Sequence, residues 1–185
     1  MLKKSTSESF ICERLLDMME DTQLHKIKVT EFVVFAEISR STFYLYFNSI
    51  YDVIQRIEDD FIGGMIQEDE PVTLDFSSLK STEPSASTIA KAEYVRNNIR
   101  TLRILMGENG DPSFQPRVIN RTRRLYQKHF ANSKRSDIEK QMIFEYLANG
   151  QWGLFKWWTL HKDTTSVYKM ASMLEELSLQ IFRLI

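Results

Sequence analysis

The most constraining feature of the sequence is the run from Thr30 to Phe47, which is punctuated as two short helices packed together. Ser39 stands between them, and its hydroxyl is suited to cap the second helix. The next turn presents Arg40, Ser41 and Thr42 before an aromatic run begins. A capped helix with short donors and one arginine at its N-terminal end can meet a phosphate and read a base edge. The segment therefore has the form of a DNA-reading element.

The first half of this run is ambiguous by composition. Residues 29–38 are rich in Val and Phe, which strands favour. Phe32, Val33 and Ala36 share one helical face, however, and no second stretch of comparable character offers a pairing strand. We therefore predict helix here, and helical patterns elsewhere predict an all-α chain.

Two further helices are predicted around this element. Ser5 to Glu8 has capping-box spacing, and apolar residues at helical intervals follow it, which predicts a helix over about residues 8–20. Ser49 to Asp52 has the same spacing before an amphipathic pattern that ends near Gly63 and Gly64. The first part of the chain is thus predicted to be an N-terminal DNA-binding domain, in which a three-helix unit carries the helix-turn-helix and the amphipathic helix follows it.

A change of composition divides the chain. Residues 67–87 are dominated by Glu, Asp, Pro, Ser and Thr, which is typical of a linker or a poorly ordered surface segment. We predict a DNA-binding domain over 1–65, a linker over 66–88, and a helical regulatory and dimerisation domain over 89–185.

The C-terminal part shows four helical patterns. The first covers 89–106 and is broken at 107–112, where Asp111 can cap a helix that has Pro112 at its first position and runs to Phe130. Residues 132–136 form a predicted turn, and a long apolar helix over about 137–160 follows, with three tryptophans and two glycines. The last pattern covers the C-terminal residues.

The last helix carries a heptad seam of apolar residues. They recur at spacings of three and four: Val167, Met170, Leu174, Leu177, Ile181 and Leu184. With Gly150 and Gly153 permitting close approach in the preceding helix, this seam suits a bundle shared between two subunits, to which Trp152 would contribute. Burial within one subunit explains the spacing equally well, and the pattern does not decide between them.

Composition limits the other classes of function. One cysteine, Cys12, excludes an internal disulfide and a Cys-rich zinc module and fits a reducing compartment, so we expect a cytoplasmic protein with no membrane span.

The chain has 24 basic and 25 acidic residues and no broad basic stripe. DNA affinity would therefore depend on a few placed contacts, on helix N-termini and on two copies acting together.

The run from Val29 to Asn48, followed by Tyr51 to Ile54, resembles the N-terminal helix-turn-helix of the TetR family of bacterial transcriptional regulators. Residues 102–114 and 148–158 are similar to a branch of that family typical of Gram-positive bacteria. The resemblance implies a homodimer that binds a palindromic operator in double-stranded DNA, with repression as the default. It also implies that a small-molecule effector, unidentified from the sequence, acts on the C-terminal domain.

The resemblance implies a set of DNA-binding residues. Thr30 and Glu31 would begin the positioning helix, Ala36 would pack it, and Ile38 would plug the turn. Arg40 is the candidate for a guanine edge and Tyr44 for a phosphate contact, while Phe43 and Phe47 would face the core. The complete predicted set is Lys28, Thr30, Ser39, Arg40, Ser41, Thr42, Tyr44, Tyr46 and Asn48.

Three positions depart from the family pattern. Glu37 stands where the turn often has Gly, so the backbone there must adopt a conformation that a non-glycine residue tolerates, or accept strain. Lys28 replaces the usual capping Thr. Ile50 replaces a Lys that commonly meets phosphate, and we expect Asn48 and the amides near Ser49 to compensate.

Other features have plainer interpretations. The basic cluster Arg117, Arg121, Arg123, Arg124 and Lys128 is interpreted as a solvated helix face, since it lacks aromatics suited to base stacking. Trp152, Trp157 and Trp158 are interpreted as packing or interface residues rather than the lining of a ligand cavity.

The sequence shows no sign of an enzyme. His25, His129 and His161 have no metal-ligand spacing, and no phosphate loop, nucleophile elbow, catalytic motif or cofactor motif occurs. The rival to a DNA reader is a protein of the same fold that binds a partner as a co-regulator, which Glu37, Ile50 and the lack of a basic field favour.

Overall fold

The computed structural model describes residues 6–66, 83–130, 133–161 and 164–182. These residues form nine α-helices and, within the described ranges, no strand, which confirms the all-α prediction. The helices are α1 (Thr6–Met19), α2 (Val29–Phe35), α3 (Arg40–Tyr46), α4 (Ile50–Met65), α5 (Ala86–Asn97), α6 (Ile99–Leu105), α7 (Phe114–Phe130), α8 (Asp137–Leu160) and α9 (Val167–Phe182). A short 3-10 turn, Leu24–Lys26, precedes α2.

The chain divides into two compact units. The N-terminal unit contains residues up to 62 together with 100–114, and the C-terminal unit contains residues 63–99 and the chain after 114. The predicted division at 66–88 therefore differs from the observed one, because residues 100–114 pack with the N-terminal helices. Residues 67–82 of the predicted linker, and Ser5 of the first predicted cap, lie outside the described residues.

The N-terminal unit is built on the buried faces of α1 to α4. Leu15 of α1, Phe32 of α2, Phe43 of α3 and Val53 of α4 are all fully buried. Burial of such side chains stabilises the unit by about 1.5–3 kcal/mol each, before the conformational entropy cost is subtracted. The helical prediction for 29–38 is thus correct over 29–35, since a helix buries Phe32 and Val33 together.

Residues 100–114 are tied to α1 by polar contacts. The Arg100 guanidinium lies 2.6 Å from a carboxylate oxygen of Asp17 and 2.7 Å from one of Glu20. These hydrogen bonds to the two acids raise the pKa of Arg100. The Asn109 carboxamide donates to the backbone carbonyls of Met19 and Glu20, both at 3.0 Å, and so satisfies the C-terminal end of α1.

The C-terminal unit has a core between α7, α8 and α9. Phe144, Leu147 and Ala148 of α8 form its buried cluster, and Ile119 and Ile181 pack against that cluster. Helix α9 also contacts α5, where the Glu175 carboxylate accepts hydrogen bonds from the backbone amide and the hydroxyl of Ser85. Ser85 caps α5, so this helix begins inside the segment that was predicted as linker.

Two predicted helix boundaries are wrong. The helical pattern over 89–106 is divided at Asn98, whose backbone leaves the helical region with a φ of −112° and a ψ of 25°, and whose side-chain amide donates to the Tyr94 carbonyl. Asp111 accepts a hydrogen bond from the Ser113 amide at 2.8 Å, so it caps a turn, and α7 begins at Phe114 rather than at Pro112. The predicted start and end of α8 are confirmed, with a capping box between Ser136 and Glu139.

The heptad seam divides between interior and surface. Met170 and Leu174 are buried within one chain, as is Trp152, whereas Leu177 is exposed and Val167 and Ile181 are half-buried. The first three side chains therefore have little surface left to give to a partner subunit. Leu184 lies outside the described residues.

In the described ranges, no helix combines the length and the apolar character needed to cross a membrane.

Candidate nucleic-acid interface

Ser39 is the residue on which the start of α3 depends. Its backbone is extended, and its hydroxyl oxygen accepts a hydrogen bond from the Thr42 amide at 3.0 Å. The same oxygen lies 2.7 Å from the Ser41 hydroxyl and 2.8 Å from the Thr42 hydroxyl. The predicted cap is confirmed, and the three hydroxyls form one small network at the exposed N-terminal end of α3.

Aromatic packing holds α3 against the N-terminal unit. The Phe43 ring is fully buried, and its centroid lies 5.8 Å from that of Phe32 in an edge-on arrangement and 6.3 Å from that of Phe47. The expectation that Phe43 and Phe47 face the core is confirmed. Because these two positions point inward, the register of the helix determines which side chains point outward.

The outward side of α3 carries Arg40, Ser41 and Tyr44, all of which are exposed. The Tyr44 ring lies edge-on to the Phe43 ring, with the two centroids 5.4 Å apart, and 55% of the residue is exposed. Thr42 and Tyr46, which belong to the predicted DNA-binding set, are only half-buried rather than exposed. They lie at the border of the outward face and not at its centre.

Sequence reasoning missed Leu45 on this face. Its side chain is 74% exposed, more than that of Tyr44 beside it, and it lies one helical turn after Ser41. Assigning Phe43 and Phe47 to the core places Leu45 on the outside, so the helical register contained the signal. An exposed apolar side chain at this position suits contact with a thymine methyl group.

The turn between α2 and α3 contains the strained residue that the sequence indicated. Glu37 has a φ of 55°, and it is the only non-glycine residue with positive φ among those described. The Ile38 amide donates to the Val33 carbonyl at 3.0 Å, and the Glu37 amide donates to the Val34 carbonyl at 3.2 Å. These two bonds close a Schellman motif, in which the left-handed position is normally glycine.

The N-terminal end of α2 presents a second exposed group. Lys28 is the residue before the helix, and its side chain does not cap it; its ammonium instead lies 3.9 Å from the Glu31 carboxylate. Both Lys28 and Thr30 are exposed. An exposed ion pair of this kind is weak, so Lys28 can exchange Glu31 for a stronger anion at little cost.

The start of α4 has the predicted pairing of Ser49 with Asp52. The Asp52 carboxylate accepts hydrogen bonds from the Asn48 amide and the Ser49 hydroxyl, both at 2.9 Å, and the Ser49 hydroxyl accepts one from the Asp52 amide at 3.2 Å. The hydroxyl and amide donors lower the pKa of Asp52. The backbone amide of Asn48 is therefore engaged within the chain, whereas Asn48 itself is exposed, so the expected compensation for Ile50 by its side chain stays a prediction.

The remaining candidates have structural contacts. Arg123 pairs with Glu145, and its guanidinium lies 5.0 Å above the Phe144 ring. Trp158 is fully buried and donates its indole N–H to the Thr165 carbonyl at 3.1 Å, and Cys12 is a buried free thiol. Arg123 thus packs against α8 and differs from the solvated helix face predicted for the basic cluster, of which Arg124 is exposed. The burial of Trp158 agrees with its interpretation as a packing residue.

Residues 82–180 match the family model described as the C-terminal region of a TetR-type transcriptional regulator, and this match covers more than half of the chain. The chain belongs to the TetR family of transcriptional regulators. The match confirms the family predicted from the sequence, and with it the expectation that the protein is not an enzyme, because TetR-family regulators are non-enzymatic. The narrower branch suggested by residues 102–114 and 148–158 stays a prediction.

Solved structures of TetR-family type share the fold. One is described as the dihydroxyacetone kinase operon activator DhaS, with 19% identity, coverage of 97% of this chain and 98% of that chain, and a TM-score of 0.61. Another is a TetR transcriptional regulator from Streptococcus agalactiae 2603V, with 18% identity, coverage of 95% and 93%, and a TM-score of 0.66. At these identities the likeness concerns the fold alone. No curated protein sequence matches the chain.

Proposed function

We propose that this TetR-family chain is a homodimeric, sequence-specific DNA-binding regulator that acts in the cytoplasm. Each subunit would place α3 in the major groove of one half of a palindromic operator. The observation that carries the proposal is the outward face of α3, where a Ser39-capped helix end, Arg40 and Tyr44 project from an aromatic core. Rigid support of this kind is what base reading requires.

The chemistry of each side chain suggests its role. Arg40 has the planar donors that match a guanine edge, and Ser41 and Thr42 offer short hydroxyls at the same helix end. Tyr44, Lys28 and Thr30 suit phosphate oxygens. Ser39 acts through the helix end that it caps, and Tyr46 and Asn48 would meet the backbone at the border of the face.

Selection of bound duplexes from a random pool tests this proposal and defines the half-site. Arg40→Ala should weaken binding by about 10- to 100-fold and relax the preference at one base pair. Lys28→Ala should weaken all sequences similarly and reduce the salt slope by about one. Lys134→Ala, which removes an exposed charge of the C-terminal unit, is the matched control. Recovery of no sequence above background, or unchanged affinity in Arg40→Ala and Tyr44→Ala, would remove the assignment of α3.

The surface of α8 supports the dimer. Large apolar side chains form a stripe along its exposed side: Ile138, Met142, Tyr146, Trp157 and Leu160. Gly150 and Gly153 lie within the stripe, and a Cβ built on either would meet nothing within 4 Å. Solvent-facing apolar area of this extent on a helix is typical of an interface, and the glycines leave room for the backbone of a partner helix.

The exposed part of the seam on α9 completes this surface. Leu177 is 43% exposed, and α9 packs beside α8, so the two helices can form half of a four-helix interface. Val167 and Ile181 would contribute their half-buried surfaces. Trp152, Met170 and Leu174 would support the interface from within each subunit, because they are already buried.

Charge introduced into the stripe tests the interface. Tyr146→Glu and Leu160→Glu should each convert a dimer into a monomer in sedimentation velocity, because an unpaired carboxylate would be buried at the contact. Val34→Glu places the same charge at an equally exposed apolar position of the N-terminal unit and should leave the dimer intact. Dimers of unchanged stability in both stripe variants would show that the subunits associate elsewhere.

Repression, relieved by a small-molecule effector in the C-terminal unit, is the regulatory mode that we propose. An effector can act only through a difference in its affinity for the DNA-bound and free states. The test is a reporter placed behind the selected operator, whose expression should rise when the gene for this chain is deleted.

A partner-binding co-regulator is the second candidate. Exposed Val34 and Leu45 in the N-terminal unit favour it, since both expose about three quarters of their side chains near the reading element. Salt separates the two functions. DNA affinity should fall steeply as salt rises, whereas apolar binding to a protein partner should persist.

A further inference from the structure

The last four carbonyls of α2 each accept a hydrogen bond, but one of the donors comes from another helix. The carbonyls of Phe32, Val33 and Val34 accept from backbone amides of the following turn, at 2.7, 3.0 and 3.2 Å. The Phe35 carbonyl accepts from Nη2 of Arg14, a residue of α1, at 2.9 Å. The turn that leads from α2 to α3 is therefore held by a side chain of α1 as well as by its own backbone.

Two further contacts fix the Arg14 guanidinium. Its Nη1 donates to the Asp17 carboxylate at 2.8 Å, and its central carbon lies 4.5 Å from the centroid of the Phe35 ring. Arginine carries its N–H donors in a rigid planar fork, so it can bond a carboxylate and a carbonyl at once while its face rests on a ring. This stacking also accounts for Phe35, a large apolar side chain that is 38% exposed on α2.

The Asp17 carboxylate is itself held in place. Arg14 bonds one of its oxygens, and Arg100 donates to the other at 2.6 Å. Because the acid is shared between two arginines, it keeps the Arg14 side chain close to α1. The guanidinium is therefore a fixed tie between α1 and the end of α2.

We propose that Arg14 is a positioning residue of the reading element, which holds the turn between α2 and α3 in the conformation that base reading requires. Glu37 has its positive φ in this turn, so the backbone there is strained and depends on support from outside. DNA binding costs less when α3 already has its bound orientation. The effect of Arg14 on operator affinity rests on the DNA-binding function proposed above, whereas its effect on the turn does not.

Amide hydrogen exchange of the full-length protein without DNA tests the tie. Arg14→Met keeps an unbranched side chain and removes the donors. The amides of Glu37 and Ile38, which close the turn, should then exchange roughly tenfold faster, as expected for loss of a hydrogen bond from a half-buried charged group. The matched control is Arg56→Met, which removes an arginine of α4 that pairs with two acids. It should leave both amides unchanged. Unchanged exchange in Arg14→Met, or equal acceleration in Arg56→Met, would overturn the proposal.

Operator affinity separates positioning from direct contact with DNA. Arg14→Met should bind the selected operator roughly tenfold more weakly, with the salt slope of the wild type, because no phosphate contact is lost. Arg56→Met should bind as the wild type does. A slope smaller by about one, as expected for Lys28→Ala, would show that Arg14 itself binds phosphate. That result, or unchanged affinity in Arg14→Met, would overturn the proposal.

Arg14→Lys covers the case in which Arg14→Met does not fold. Lysine keeps the charge but has one ammonium in place of the fork, so it cannot hold the carbonyl, the carboxylate and the ring in the same way. Exchange of the Glu37 and Ile38 amides should still be faster than in the wild type, and operator affinity should still be lower. Exchange and affinity equal to those of the wild type would show that charge alone matters and would overturn the proposal. If the wild type selects no duplex, the proposed function fails, and exchange of the two amides still decides the role of Arg14.

Discussion

Replacement of Glu37 by glycine should stabilise the protein. Glu37 occupies the left-handed position of the Schellman motif that ends α2, with a φ of 55°. A side chain in this conformation costs roughly 1–2 kcal/mol, because its Cβ crowds the following carbonyl. Glycine removes that cost but loses about 0.5–1 kcal/mol more conformational entropy on folding. The difference predicts a net gain of about 0.5–1 kcal/mol for Glu37→Gly.

Thermal and urea unfolding would measure this gain. For a chain of this length, about 1 kcal/mol corresponds to a rise of roughly 2–4 °C in Tm. Glu37→Ala is the necessary control, since it removes a carboxylate that lies unfavourably at the C-terminal end of α2 but keeps the Cβ. Glu37→Asn should fall between the two, because Asn tolerates the left-handed region. If Glu37→Gly is no more stable than Glu37→Ala, backbone strain at this turn is refuted.

Two further predictions concern pH and glycine. The hydrogen bonds from Ser136 hold the pKa of Glu139 below its ordinary 4.5. The ionised carboxylate of the capping box should therefore stabilise α8 fully above about pH 4.5, and this stabilisation should be lost as the pH falls through the lowered pKa. Urea midpoints of the wild type and Glu139→Gln, compared from pH 7 to 3, should converge at the acid end, and a constant difference would contradict the assignment. Gly110→Ala should destabilise by about 1–3 kcal/mol, because its Cβ would lie 2.3 Å from the Leu105 carbonyl oxygen. Gly153 has open space around it, so Gly153→Ala should instead stabilise the monomeric Tyr146→Glu variant, by up to about 1 kcal/mol in the same urea assay. Equal changes in stability at Gly110 and Gly153 would show that steric contact of the new Cβ does not decide the sign of the effect.

Local signals were enough to predict the elements that form the interface. Ser39 and Ser49 mark the starts of α3 and α4 because a hydroxyl cap depends only on residues three positions away. The conflict at Glu37 was also local, since a left-handed turn position restricts the residue that occupies it. The outward face of α3 follows from the same register, which also places the apolar Leu45 on that face.

Contacts between distant residues were beyond local patterns. Nothing near Arg100 or Asn109 in the sequence indicates that their partners are Asp17, Glu20 and the end of α1. The heptad spacing of α9 also predicted burial correctly for Met170 and Leu174. The spacing of apolar residues shows which face of a helix is buried, but it does not show which helix packs on that face. The break at Asn98, which divides α5 from α6, also lacks a local signal, since no Gly or Pro marks it in the sequence.

The ties between residues 100–114 and α1 limit how a signal could reach the reading helix. Asn109 caps α1, and its own carbonyl accepts a hydrogen bond from the Leu24 amide at 2.9 Å, at the turn that leads into α2. This segment is joined covalently at each end to helices of the C-terminal unit, α5 before it and α7 after it. Residues 100–114 and α4 are thus two places where the chain passes from one unit to the other. Under the function proposed above, a signal carried by residues 100–114 would act first on the end of α1 and on the turn before α2, which Asn109 contacts, and not on the exposed side chains of α3.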